Sequence, residues 1–435
     1  MDFQITVRSG DREVGSLMVT VTGTGAEREE QVLEVGRRLG RVLLEPALAE
    51  AVQSSRRPCC CGRAMDYRDQ QTITVQTMLG PLPLVRKRFR CERCRHTIYR
   101  GDEVLCGRHR VTMPLAKRVC QLVETEHYPH VPQVLADQHG IALGHEEINE
   151  LVRAVGGHAD RVRRAEATAW RATPTAERCW PNPEVTPRRI YASCDGVMYC
   201  TNQTEPDPQH PDQQRLIWQQ MRVGCIYWQE AQEHWRKRVL WGRETAEDFG
   251  ASLFRLACRC GWREASERLF GADGGDWCWD IHARYFSEAT GILDWYHASE
   301  HIWTAARLLG ADSEITAAWA EQALDHLATR GGVGLVAWLE PQRTARRGGA
   351  RAALDQLLKY VRPRRELMNY PEYRAHGWQV GTGMIESTGK QLVGLRLKGP
   401  GMHWTEPGAL AVAALRAIDL NGQWHRFWNN LTLTS

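Results

Sequence analysis

The sequence predicts a multidomain α+β protein, and three observations carry that expectation. Cysteine clusters at 59–62 and 91–94 flank two strand-like runs. Helical text begins near Pro114. From Arg188 onward, short apolar runs that end in acid alternate with helical segments. At 435 residues the chain exceeds the roughly 100–200 residues of a usual single domain. The expected segments are a strand pair and amphipathic helix (1–55), a zinc-ribbon-like hairpin (56–110), a helix-turn-helix-like region (111–172), a linker (173–189), and a mixed α/β core (190–300 and 376–435) interrupted by a helical insertion (301–375).

Within the first segment, FQITV and SLMVTV alternate as strands do. Val32, Val35, Leu39 and Leu43 then recur at helical spacing, which fits a packing or dimerisation helix. The next segment reads as a hairpin: TITVQTMLG and LPLVRKRFR turn at Gly80-Pro81, between CCCG and CERC. Two pairs of thiolates around a hairpin can close a tetrahedral zinc site, and a small domain gains folding free energy from it. Cys91 and Cys94 have knuckle spacing. Three consecutive cysteines allow Cys59 with Cys61, or Cys60 with a ligand from elsewhere; Cys59 with Cys61 is preferred because it leaves Gly62 for the turn, and Cys106, His96 and His109 are possible substitutes.

The stretch VPQVLADQHGIALGHEEINELVRAVGG reads as helix, turn, helix. Pro132 can open the first helix, His139-Gly140 can close it, and Ile148, Leu151, Val152 and Val155 form the apolar face of the second. Arg153, Arg161, Arg163 and Arg164 are candidate phosphate contacts, because the guanidinium fork matches phosphate geometry.

Composition narrows the function classes. With 43% hydrophobic and 25% charged residues the chain has the make-up of a soluble globular protein. No apolar run approaches the roughly 20 residues of a membrane span. The amino terminus lacks the basic-then-apolar pattern of a secretory signal, so a cytoplasmic protein is expected. The net charge of +4 does not by itself imply nucleic acid, although its cations are mostly clustered arginines.

Acidic residues carry the strongest chemical signal. Asp195 follows an apolar run and precedes glycine, Asp273 does the same in GADGGDW, and Glu386 opens a helix after GTGMI. Three carboxylates on the ends of adjacent elements can hold two divalent cations about 4 Å apart, with Mg²⁺ or Mn²⁺ suited to oxygen ligands. Asp276 competes with Asp273, Asp294 is a lesser rival, and Asp294 with His297 forms an Asp-x-x-His pair.

These blocks together resemble bacterial insertion-sequence transposases of the ISKra type, in the DDE class related to the Mutator-like group. The likeness covers most of the chain. It rests on the two cysteine pairs, SCDGVM, ADGGDWCW, ILDWYHASEHIW, GTGMIESTGKQLVGLRLKGPGMHW and ALRAIDLNGQWHRFW. The resemblance implies an RNase H-like catalytic core with a helical insertion before the last acid. It matches Asp195, Asp273 and Glu386 to the catalytic acids and Asp294 with His297 to a supporting pair.

On that resemblance, Lys390, Arg396 and Lys398 are expected to face DNA, His403 and Trp404 to lie near a base, and Gly381, Gly383 and Gly389 to permit close backbone approach. The expected partners are double-stranded DNA at the element's ends and at the target, and a second copy of the chain, since two ends are cut together. The rival expectations are a non-enzymatic zinc-containing DNA-binding regulator and an RNase H-fold nuclease for branched or RNA-containing substrates.

Overall fold

The structure, a computed structural model, describes residues 1–53, 59–174, 177–178, 180–231, 234–309 and 313–433. The linker expected at 173–189 lies partly outside them. Helix makes up 53% and strand 24%, so the protein is mixed α+β. Among the described residues no helix is long and apolar enough to cross a membrane. The chain divides into two compact units, 1–158 with 425–435, and 159–424.

In the first unit, β1 (Asp2–Ser9) and β2 (Arg12–Thr20) pair antiparallel. α1 (Gly25–Gln53) presses on β2 where Gly15 leaves room for Val42, and on the following hairpin where Gly40 leaves room for Leu79. Its outer face differs from the expected stripe. Val32 is 56% and Leu43 52% exposed, because Gly40, Val42 and Leu48 make the contacts instead.

The hairpin β3 (Asp66–Thr77) and β4 (Gly80–Arg90) is extended by β5 (Thr97–Arg100) into a three-stranded sheet. Gly80 supplies the positive φ of the turn (98°), and strand alternation buries Ile73, Val75, Leu82 and Leu84 on one face. α2 (Met113–Thr125), α3 (Val131–His139) and α4 (His145–Ala172) follow. α3 has Pro132 in its first turn and ends at left-handed Gly140, whose amide reaches Ala136 O. Ile148, Leu151, Val152 and Val155 are all buried, as their spacing requires.

The second unit is built on a five-stranded sheet in the order β10-β9-β6-β7-β8. β6 (Arg189–Pro206), β7 (Gln214–Ala231) and β8 (His234–Gly242) are antiparallel neighbours, whereas β9 (Glu267–Ala272) and β10 (Thr290–Leu293) run parallel to β6. β8 was not expected, because the charges of HWRKRVLWG mask its alternation. Asp195 also differs from expectation: it lies within β6, not at its end, since the strand continues through VMYC to Pro206.

On one face Ile190, Ala192 and Cys194 join Phe249 and Leu253 of α5 (Ala246–Arg259) and Cys278 and Ile281 of α6 (Asp276–Tyr285) in the core. Alternation sends Asp195 and Val197 to the opposite face. A helical segment follows β10: α7 (Trp295–Leu309), α8 (Ser313–Ala345), broken at Gly331 (φ 66°), and α9 (Gly348–Val361). After the short α10 (Tyr370–Ala375), α11 (Gly383–Gly389) runs through a π-helical stretch, Lys390–Gly394, into the single turn α12 (Leu395–Leu397). α13 (Glu406–Leu420) closes the unit, and α14 (Trp424–Asn430) returns the chain to the first.

Candidate functional site

Four thiols of the first unit converge. Cys59, Cys61, Cys91 and Cys94 bring their Sγ atoms all within 4.8 Å of one another, a set that could hold a structural metal such as zinc. Two tight turns produce this. Gly62 (φ 80°) donates its amide to Cys59 O, and Arg95, in a left-handed conformation (φ 58°), donates to Cys91 O. The second turn also draws its own two sulfurs towards thiolate, whereas Cys59 is pushed up by the Cys94 side chain and burial: the His96 amide, with neighbouring thiols, draws Cys94 down to about 6, and the Cys94 amide lowers Cys91. Cys60 lies 3.6 Å from Cys59 but is not one of the four, nor are His96, His109 and Cys106. Cys106 is buried, and burial pushes its thiol up to about 12.

In the second unit, sheet register brings acids together. Ser193 pairs with Gly271 and Leu293 with Ala272, so Asp195, Asp273 and Asp294 follow at one level on three adjacent parallel strands. α11 crosses β6 closely because Gly389 has no side chain: a Cβ there would stand 2.8 Å from Val197 Cγ2. One turn earlier Glu386 projects from the same helix. Asp195, Asp273, Asp294 and Glu386 line one cavity of about 470 Å³ with Tyr296, His297, Glu300 and Thr382.

The four acids are not equivalent. Asp294 is buried and fully engaged: Oδ1 accepts the His297 amide (2.6 Å), capping α7, and Oδ2 accepts the Thr382 amide (2.5 Å) and lies 2.8 Å from its hydroxyl. The others each keep an oxygen without a protein donor among the described residues. Asp195 Oδ1 accepts the Gly196 amide (2.6 Å), Asp273 Oδ1 the Gly275 amide (2.9 Å), and Glu386 Oε1 the Thr382 hydroxyl (2.8 Å). Burial pushes the Asp195 carboxyl up to about 6 against the pull of the Gly196 amide, and the charges of Asp273 and Glu386 add to the rise.

Asp276 stands apart. Its side chain is 91% exposed and pairs with Arg364 (2.6 Å), which also donates to Gly274 O (2.8 Å). The two glycines of ADGGDW have separate reasons: a Cβ on Gly274 would meet the Tyr360 ring at 2.7 Å, and one on Gly275 would meet Asp273 Oδ1 at 3.1 Å.

Several of the residues expected at DNA are engaged within the protein. Arg163 is committed to Glu244 (2.5 Å) and Asp160 (3.0 Å), and Arg164 pairs with Asp160 (2.5 Å). Arg396 is 3% exposed, with its guanidinium over the Trp404 ring and 3.9 Å from Met402 Sδ. Trp404 is itself buried and donates to Leu397 O, so it is a core residue. Lys390, Lys398, His403, Arg153 and Arg161 are exposed. Gly381 makes room for the Tyr296 ring, whereas Gly383 has open space around it.

Two residues that line the cavity escaped the sequence reasoning. Tyr296, 67% exposed, sits beside the Asp294–His297 pair, and its aromatic type was its only signal. Thr382 read as an ordinary residue before a helix. No protein-family model matches the chain, and no curated protein matches it.

Proposed function

We propose that this chain is a DDE-type DNA transposase that binds the ends of an insertion sequence, cleaves them in a metal-dependent reaction and joins them to target DNA. The observation that carries this reading is the convergence of Asp195, Asp273 and Glu386 on one cavity, each with a carboxylate oxygen still open. An RNase H-like core is supported by the mixed sheet: three antiparallel strands, then two parallel to the first, with the acids on β6, after β9 and, beyond the helical segment, on α11.

The donor set fits Mg²⁺ or Mn²⁺, since all three ligands are hard oxygens and the charges of Asp273 and Glu386 add to the rise that burial imposes on Asp195. Bound there, the cations would activate a water or a 3′-hydroxyl and stabilise the leaving oxygen of a phosphodiester.

The chain's own residues do the positioning. Asp195, Asp273 and Glu386 hold the charge, Asp294 and His297 set the start of α7 beside it, and exposed Tyr296 offers a ring at the rim for a base to stack on. Lys390 and Lys398 remain as phosphate contacts near α11, with Arg153 and Arg161 on α4. End recognition belongs to the zinc hairpin and the α3–α4 helix-turn-helix pair, and two copies act on two ends.

The test is nicking of labelled DNA carrying the ends of the encoding element, with Mg²⁺ or EDTA, by wild type, Asp273→Ala and Asp276→Ala. Metal-dependent nicking lost in Asp273→Ala and kept in Asp276→Ala is expected. End binding without nicking under every metal condition would overturn the enzyme in favour of the regulator, and preference for an RNA–DNA hybrid would favour the nuclease.

A further inference from the structure

Thr382 occupies the residue before α11, where a threonine ordinarily turns its hydroxyl back to accept an amide of the first turn. It makes no such bond. Its side chain, 6% exposed, instead lies 2.8 Å from Asp294 Oδ2 and 2.8 Å from Glu386 Oε1. A hydroxyl has one proton and serves one of these acceptors at a time. Asp294 Oδ2 also receives the Thr382 amide at 2.5 Å, so it keeps a donor when the hydroxyl proton turns to Glu386, which has no other donor among the described residues.

The contacts around Thr382 form a relay. Asp294 donates its own amide to Ala272 O (2.9 Å), the residue before Asp273, and accepts the His297 amide through Oδ1. Thr382 is therefore tied by its backbone to the strand end that carries Asp273, and by its hydroxyl to Glu386 on another element. Glu386 in turn gives its amide to Thr382 O (3.0 Å), which fixes the spacing between the two residues.

We propose that Thr382 is the positioning residue of the carboxylate site: its hydroxyl holds Glu386 by one oxygen, so that the other stays aimed at a divalent cation shared with Asp195 and Asp273. This rests on the metal-dependent reading above. Thr382 touches neither cation nor DNA; it acts through Glu386. The local cap it forgoes is the sign that its hydroxyl serves the site and not the helix.

The experiment measures Mn²⁺ uptake by the full chain without DNA, by electron paramagnetic resonance, beside Mg²⁺ titrations of nicking. Thr382→Val and the smaller Thr382→Ala both retain the amide that binds Asp294, and circular dichroism checks that they fold. Each is expected to weaken Mn²⁺ binding by about tenfold or more, the size of effect seen when a ligand's hydrogen-bonding partner is lost. The concentration of Mg²⁺ needed for nicking should rise in step, and Thr382→Ser should restore both. In a Glu386→Gln background Thr382→Val should add no further loss.

A folded Thr382→Val or Thr382→Ala protein that binds Mn²⁺ as wild type does, or a loss of equal size in the Glu386→Gln background, would overturn the role of Thr382 and leave the carboxylate site standing. Wild type that takes up no Mn²⁺ at all would remove the carboxylate site and Thr382's role with it.

Discussion

The two ligand clusters of this protein are prepared in opposite ways. The thiols of the first unit come from two tight turns on one hairpin and lie within 4.8 Å of one another; the amides of the second turn draw Cys91 and Cys94 towards thiolate, while the neighbouring thiols and burial push Cys59 up. The carboxylates of the second unit come from β6, the end of β9 and α11. Each is held by the protein through one oxygen, and burial, with the charges of Asp273 and Glu386 adding to it, pushes the Asp195 carboxyl up to about 6. A closed, soft, pre-converged set suits an ion that stays and holds a fold together. An open, hard, mutually repelling set suits ions that arrive with substrate.

The largest expected effect separates the two clusters by folding. Stripping the metal with a chelator, or Cys91→Ser, should abolish zinc content and open the β3–β5 sheet to hydrogen exchange, because structural zinc contributes about 10–16 kcal/mol in small domains. The β6–β10 sheet should keep its protection. Unchanged exchange over 59–100 in the metal-free protein would erase the contrast.

Next in size, Asp195→Asn should lower nicking by about a thousandfold while end binding persists, since a charge needed in the transition state is lost and the fold is not. Parallel loss of DNA binding would instead make Asp195 a structural acid.

A smaller effect divides the cations near α11. Lys390→Ala and Lys398→Ala should each reduce the slope of log affinity against log salt by about one. Arg396→Ala should leave that slope alone and destabilise the protein by about 1–3 kcal/mol, because it removes a buried packing partner of Trp404. A salt slope that changed with Arg396 would return it to the DNA surface.

The smallest effect is on pH. Asp195 has a folded pKa raised from 3.8 to about 6, so between those values the folded state binds more protons than the unfolded, and its contribution to stability falls as pH rises. Below that window and above it the contribution is flat. In chelator, the melting temperature of Asp195→Asn relative to wild type should therefore climb between about pH 4 and pH 6 and then level off. A constant difference across that range would mean that the Asp195 carboxyl is not held up in the folded protein.

Much of the cysteine cluster was legible because its chemistry is local: Cys-x-Cys-Gly and Cys-x-x-Cys each fit one turn, and a hairpin joins them. The acids were legible singly, by type and by the glycines that follow, but their common level is a matter of register between β6, β9 and β10. Where side chains are neutralised from a distance, the sequence misled. Arg163 looked available until Glu244, 81 residues on, took its guanidinium, and Arg396 looked exposed until the chain folded it under Trp404.

By itself the sequence determined the mixed α+β character, the cysteine tetrad and the acids worth weighing, because covalent spacing fixes what one turn or one strand can bring together. Tertiary structure alone decided that Asp273 and not Asp276 faces Asp195, and that Asp294 is consumed by hydrogen bonds. Those outcomes depend on which distant donor reaches a carboxylate first, and no spacing along the chain encodes that distance.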